Sequence, residues 1–284
     1  MMTSRLFAGV LNAVERGAFP RTRKLAWRLL YNRLSRSWRD DDWRFMNYGF
    51  VPEGAPFPLR PEDEPERASI GLYQQAMDGL PVAGARVLEV GSGRGGGARY
   101  VARYYAPSTV TGLDYSAETV KLARGLNADT GVLSFEVGDA ENLPFADGAF
   151  DIVVNIESSH CYGNMPRFAR EVARVLAPGG WFSFADMRGR AMITDLEAQL
   201  LESGLDCIVK RDISHGVVAA LDAAEERKQA RIRNVRFLRR FITEFAGSRG
   251  TLLYNGLRDG EVIYVAHRYL KPPAVPVIRP ANEP

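Results

Sequence analysis

The chain has 284 residues, with 37 basic and 34 acidic side chains, a formal charge of +3, and 46% hydrophobic and 25% charged residues. That length suits one medium α/β domain with additions better than two independent domains, and the composition is that of a soluble globular chain. So small a charge gives no ground for nucleic-acid binding, the two cysteines form neither a metal spacing nor a disulfide framework, and no run approaches the roughly 18 apolar residues of a membrane span. No metal is therefore expected, no secretory leader is read in the broken apolar piece Leu6 to Val14, and a reduced, cytoplasmic setting fits.

Residues 1–65 read as a basic helical arm followed by an aromatic and proline-rich segment. Arginines recur through the first 45 residues, and Leu25, Trp27, Leu29, Leu30 and Leu34 are interleaved with them, which predicts an amphipathic helix over Thr22 to Ser35. Such a helix either caps the domain in solvent or rests on an anionic membrane as a peripheral contact. Next comes Trp43 to Phe50, whose aromatics beside Gly49 suggest a segment packed over a site, with Tyr48 against substrate, or else a hydrophobic staple onto the core. Ala68 to Gly79 is expected to be a helix with Ile70, Leu72, Tyr73 and Met77 on one face. Tyr73 reads as a cofactor contact or as core.

Arg86 to Val90 then reads as a first strand, and Gly91-Ser92-Gly93-Arg94-Gly95-Gly96-Gly97 as a tight turn into a helix. Glycines let a backbone adopt positive φ and approach a ligand closely, and the amides at a helix start cradle a polar group. Glu89, two residues ahead of the first glycine, would repel a pyrophosphate but accept hydrogen bonds from an ammonium group. From there strands and helices alternate at 95–105, 109–114, 117–127, 132–137, 150–155, 165–176 and 181–186. Alternation of this kind implies an α/β fold, a mostly parallel sheet with helices on both faces. The carboxyl ends of strands one, two and four share one edge, so Glu89, Asp114, Asp139 and Asn155 to Glu157 should converge there. A sixth strand is expected at Asp206 to Asp212 and a seventh at Val262 to Leu270. The helical insertion between them, about residues 214–258, is basic on one face and reads as a lid or a surface brace. The main domain then spans 66–271, with a proline-rich, disordered tail at 272–284.

Glu89 to Gly95, in the pattern E-x-G-x-G-x-G, resembles the first motif of the class I S-adenosylmethionine-dependent methyltransferases. The resemblance continues through Asp114, Gly138 to Phe145, strand four and Ala177-Pro178-Gly179-Gly180. It implies a Rossmann-like, seven-stranded fold and S-adenosyl-L-methionine as cofactor. Its contacts would be Glu89, Gly91, Gly93, Gly95, Asp114, Tyr115, Asp139, Ala140, Asn155, Glu157 and Tyr73. The run Asn155 to Tyr162 is further similar to the mycobacterial phthiotriolone and phenolphthiotriolone dimycocerosate methyltransferases and to fatty-acid O-methyltransferases. That implies a hydrophobic small-molecule partner, a lipid, fatty acid or polyketide, with a glycosylated natural product as the alternative. Oligomeric state stays open.

Methyl transfer from a sulfonium needs chiefly alignment and exclusion of water, but a hydroxyl acceptor must also lose its proton. His160 after strand four is the candidate base, Asp186 after strand five its orienting partner, and Glu157 the runner-up base. Tyr162, like Tyr48, is placed against substrate. Two readings from other classes compete: a nicotinamide-dependent dehydrogenase, since Gly96 and Gly97 also permit G-x-G-x-x-G, and a non-catalytic cofactor-binding protein.

Overall fold

The computed structural model describes residues 44–233, 242–244 and 246–273. The helix expected over residues 22–35, the part of the basic stretch of the insertion at residues 234–241, and the tail from residue 274 lie outside the described residues.

Seven strands form one sheet in the order β3-β2-β1-β4-β5-β7-β6. They are β1 Arg86–Val90, β2 Thr109–Asp114, β3 Leu133–Val137, β4 Phe150–Ile156, β5 Leu176–Gly189, β6 Asp206–Asp212 and β7 Val262–Leu270. The first five are parallel, while β7 runs antiparallel between β5 and β6. Central strands read as continuous apolar runs because both faces are covered. Along β4, Ile152 and Val154 face one core while Val153 faces the other. On the first face lie the helices α1 Arg67–Met77, α2 Gly96–Tyr104, α3 Ala117–Leu126, α6 Ser214–Ala223 and α8 Leu252–Asp259, and on the second lie α4 Met165–Val175 and α5 Ile193–Leu201. Side-chain caps fix several helix starts: Ser116 accepts from Thr119 N at 3.1 Å, Asn164 from Arg167 N at 2.9 Å and Thr251 from Tyr254 N at 3.3 Å.

Two sequence expectations need correction. Strand five was expected at 181–186, but the strand begins at Leu176 and runs to Gly189, because Leu176 already pairs with Phe150 ahead of an irregularity in register. The insertion is not one helix: α6 ends at Ala223 and α7, Glu225–Arg233, follows. Nor is its first part a lid. The sequence Ser214 to Ala223 is almost uncharged, Val217 and Ala220 are fully buried, and α6 packs on β7 and α8 as part of the layer covering the sheet.

Strand order reverses between β1 and β4, and connections leave the sheet there in opposite directions. A crevice opens outside the carboxyl ends of these strands.

Candidate functional site

The turn after β1 is built by glycine. Gly91 has φ +78° and a Cβ there would lie 2.3 Å from Ser158 Oγ, so only glycine lets β1 end against the loop after β4. At Gly97 a Cβ would stand 1.9 Å from the Tyr73 ring, which fills the space that glycine leaves. Tyr73 is part of the core and also lines the cleft, and its hydroxyl donates to Glu89 Oε1 at 2.5 Å.

The cleft is lined by Tyr73, Gly91, Gly93, Asp114, Tyr115, Asp139, Ala140, Glu157 and Tyr162 among the predicted residues. Sequence reasoning missed Ser92, Arg94, Ser116, Thr119, Ser158 and Cys161, which also line it. Serine and threonine at a strand–helix turn are common caps, so their types carried no separate signal. Some predicted residues are not in the wall. Asn155 is fully buried and its amide donates to Val90 O at 2.9 Å, Ser158 Oγ at 2.7 Å and Tyr162 Oη at 2.9 Å, which ties two loops together. Gly95 is packed beneath the loop, where a Cβ would meet the Phe135 ring at 2.3 Å. Glu89 is buried beneath the cleft, and Tyr48, His160 and Asp186 lie beside it, none of the four in its lining.

Electrostatics divide the site in two. On the β1–β2 side, burial pushes Glu89 up to about 8, partly offset by the Tyr73 hydroxyl. Its Oε2 is buried with no hydrogen-bond partner among the described residues. Asp114 is also raised by burial, although it accepts from Gly93 N at 3.0 Å and Ser116 N at 2.9 Å. On the β4–β5 side, Asp186 Oδ1 lies 2.9 Å from His160 Nδ1, and its Oδ2 accepts from Ser159 Oγ at 2.5 Å and His160 N at 3.0 Å. Arg188 stands 3.2 Å from the same Oδ2. Burial opposes the charge on Asp186, but the cations of His160 and Arg188 outweigh it and hold the carboxyl well below the usual range. Burial likewise opposes a charge on His160, and the Cys161 sulfur and Asp186 outweigh it, raising the imidazole well above its ordinary value.

These residues fit S-adenosylmethionine. The orphaned Glu89 oxygen suits an ammonium group, Asp114 at the end of β2 retains lone pairs that suit ribose hydroxyls, and the loop containing Asp139 and Ala140 lines the same cleft. Ser92 Oγ is a further buried atom with no partner among the described residues.

Comparisons with known proteins agree. Residues 88–184 match a family model described as a methyltransferase domain. The phthiotriol/phenolphthiotriol dimycocerosates methyltransferase of Mycobacterium tuberculosis is 37% identical over 269 residues, 93% of this chain and 99% of that protein. The fatty-acid O-methyltransferase of Mycolicibacterium smegmatis is 39% identical over 251 residues, 87% of this chain and 90% of that protein. Among solved structures, the cyclase SpnF superposes with a TM-score of 0.70 at 20% identity, covering 87% of this chain and 95% of that one. A geranyl diphosphate C-methyltransferase from Streptomyces coelicolor, bound to Mg2+, geranyl diphosphate and S-adenosyl-L-homocysteine, gives 0.61 at 18% identity, covering 85% and 98%. The last two speak to fold alone.

Proposed function

The chain belongs to the S-adenosylmethionine-dependent methyltransferases, and on that premise we propose that it methylates an oxygen of a hydrophobic, lipid-type acceptor. The relatives that support this reading are named for dimycocerosate and fatty-acid substrates. One observation carries the choice of residues: His160 Nδ1 sits 2.9 Å from a carboxylate that is itself fixed by Ser159 and Arg188, beside the donor cleft.

When bound, the cofactor supplies an electrophilic methyl group on a sulfonium that leaves without acid assistance. Glu89 would hold its ammonium end and Asp114 its ribose, and the glycine turn would let the backbone come close enough to align it. Asp186 fixes the ring of His160 and favours its protonated form, so the imidazole receives the acceptor hydroxyl proton as the new bond forms at oxygen. Tyr162, held by Asn155 and Ser158, lines the cleft, where it would pack against the acceptor.

A second reading is favoured by the raised pKa of His160 and by buried Arg188 beside it. Two cations there would hold a carboxylate acceptor, which needs no base. The pH profile separates the two. A hydroxyl acceptor requires neutral His160, so turnover rises as pH climbs through its raised pKa; a carboxylate acceptor requires the imidazolium, so turnover falls over the same window. The screen is mass spectrometry for a product heavier by one methylene across fatty acids, hydroxylated polyketides and glycosides. Methylation confined to glycosides, or on carbon or nitrogen only, would overturn the lipid oxygen assignment.

A further inference from the structure

Residues 44–50 cross the mouth of the donor cleft, with Arg44, Phe45, Met46 and Asn47 in its lining. Phe45 is buried edge-on against Tyr73, ring centroids 5.9 Å apart. The crossing is tight: a Cβ on Gly96 would stand 2.8 Å from the Arg44 carbonyl oxygen and 3.0 Å from the Phe45 ring. Gly96 is thus explained by this segment, as Gly97 is by Tyr73. Asn47 also places in the cleft a buried Oδ1 with no hydrogen-bond partner among the described residues, while its amide nitrogen donates to Ser69 O at 3.1 Å. Further on, Phe50 N donates to Ala68 O at 2.8 Å and Val51 N to Gly216 O at 3.0 Å, which fixes the far end of the segment to α1 and α6.

The segment is joined to the end of β4 at Glu157. Tyr48 N donates to Glu157 Oε1 at 2.9 Å and Oε2 at 3.2 Å, and the Tyr264 hydroxyl donates to Oε1 at 2.7 Å. Glu157 has φ +47°, a left-handed conformation disfavoured for any residue with a Cβ, and its own N is held by Ala185 O at 2.9 Å. Such a conformation persists where the surroundings over-determine it, and it clusters at clamps and switch points. A glycine would fit that backbone without strain, yet it would have no carboxylate to offer Tyr48.

We propose that residues 44–50 are a strap that closes over bound S-adenosylmethionine, and that Glu157 is its latch, a positioning residue for the donor rather than a donor ligand or the proton acceptor. The latch joins three parts of the chain: the strap, the end of β4, and Tyr264 on β7. With the strap down, Phe45 and Asn47 cover the donor and exclude water from the transferring methyl. The assignment rests on the donor site and is independent of the acceptor, so it stands or falls without reference to the acceptor screen.

The test uses the full chain and S-adenosylhomocysteine, with no acceptor present. Calorimetry gives affinity, and hydrogen exchange of peptides spanning residues 44–50 reads the strap directly. Glu157→Ala should weaken S-adenosylhomocysteine about tenfold or more, as expected for losing hydrogen bonds to a charged group, and should abolish ligand-induced exchange protection of the strap. Glu157→Gln keeps an acceptor for Tyr48 N and should restore most of both, while Tyr264→Phe should fall between. Wild-type affinity and strap protection in Glu157→Ala would overturn the latch. So would a Glu157→Gln variant that recovers neither affinity nor strap protection relative to Glu157→Ala. Should Glu157→Ala not fold, wild-type behaviour of both affinity and strap protection in Tyr264→Phe overturns it instead.

Discussion

The two halves of the cleft are made from different materials. Around β1 and β2 the work is done by backbone: glycines at positive φ, amides of Gly93 and Ser116 on Asp114, and one carboxylate, Glu89, left with an open oxygen. Around β4 and β5 it is done by charged side chains set against one another, His160, Asp186 and Arg188, of which the imidazole is raised and the carboxyl held low. The first half suits a ligand that brings its own cation, and its carboxylates are raised by burial until that cation arrives. The second already holds paired charges and suits moving or stabilising one. The difference separates binding from chemistry, and each side can be broken alone.

The largest effect is expected on the chemical side. His160→Ala should lower kcat by about 10²–10⁴-fold with a hydroxyl acceptor, measured in single-turnover assays, while calorimetric affinity for S-adenosylhomocysteine stays within about twofold. Parallel losses of both would erase the division between the halves. On the binding side, Asp114→Ala should weaken S-adenosylhomocysteine by roughly ten- to a hundredfold, since it removes a charged acceptor and strands the Gly93 and Ser116 amides. Unchanged affinity would move the ribose elsewhere.

Asp186→Asn sharpens the comparison through pH. Removing the charge that raises His160 should shift the alkaline rise of kcat to lower pH, and a profile that stays in place would detach the pair from the reaction. Glu89 gives a smaller signal of its own. Its folded pKa of about 8 lies above the usual 4.5, so its contribution to stability without ligand is full below about pH 4.5 and is lost as pH rises through about 8. A bound ammonium needs the carboxylate, so binding below pH 8 should release a proton and tighten as pH rises toward 8. Calorimetry in buffers of different ionisation enthalpy should detect that proton in the wild type and not in Glu89→Gln. Smallest is Thr251→Ala at the start of α8, which should cost about 1 kcal/mol of stability in thermal denaturation and leave cofactor affinity untouched.

Much of the first half was legible because its requirements are local. A glycine turn after an apolar strand demands particular backbone angles within a few consecutive residues, and Gly91, Gly93, Asp114, Asp139 and Ala140 all line one cleft. Gly96 and Gly97 are the instructive exceptions. In sequence they made two nucleotide spacings readable; in the fold they are spaces for Arg44–Phe45 and Tyr73, partners many residues away. Asn155 was misplaced for a similar reason. An amide at a strand end looks like a ligand contact, whereas here it bonds Val90, Ser158 and Tyr162.

By itself the amino-acid sequence determined the α/β alternation, the glycine turn and the acids near the ends of β1 and β2, because hydrophobic period and backbone freedom are properties of short windows. Only the tertiary structure decided that α6 belongs to the core and that Tyr48 and Tyr264 converge on Glu157. Those contacts depend on the order in which strands lie side by side. Inserting β7 antiparallel against β5 sets Tyr264 opposite Met187, one residue beyond Asp186, and no local pattern in the chain encodes that register.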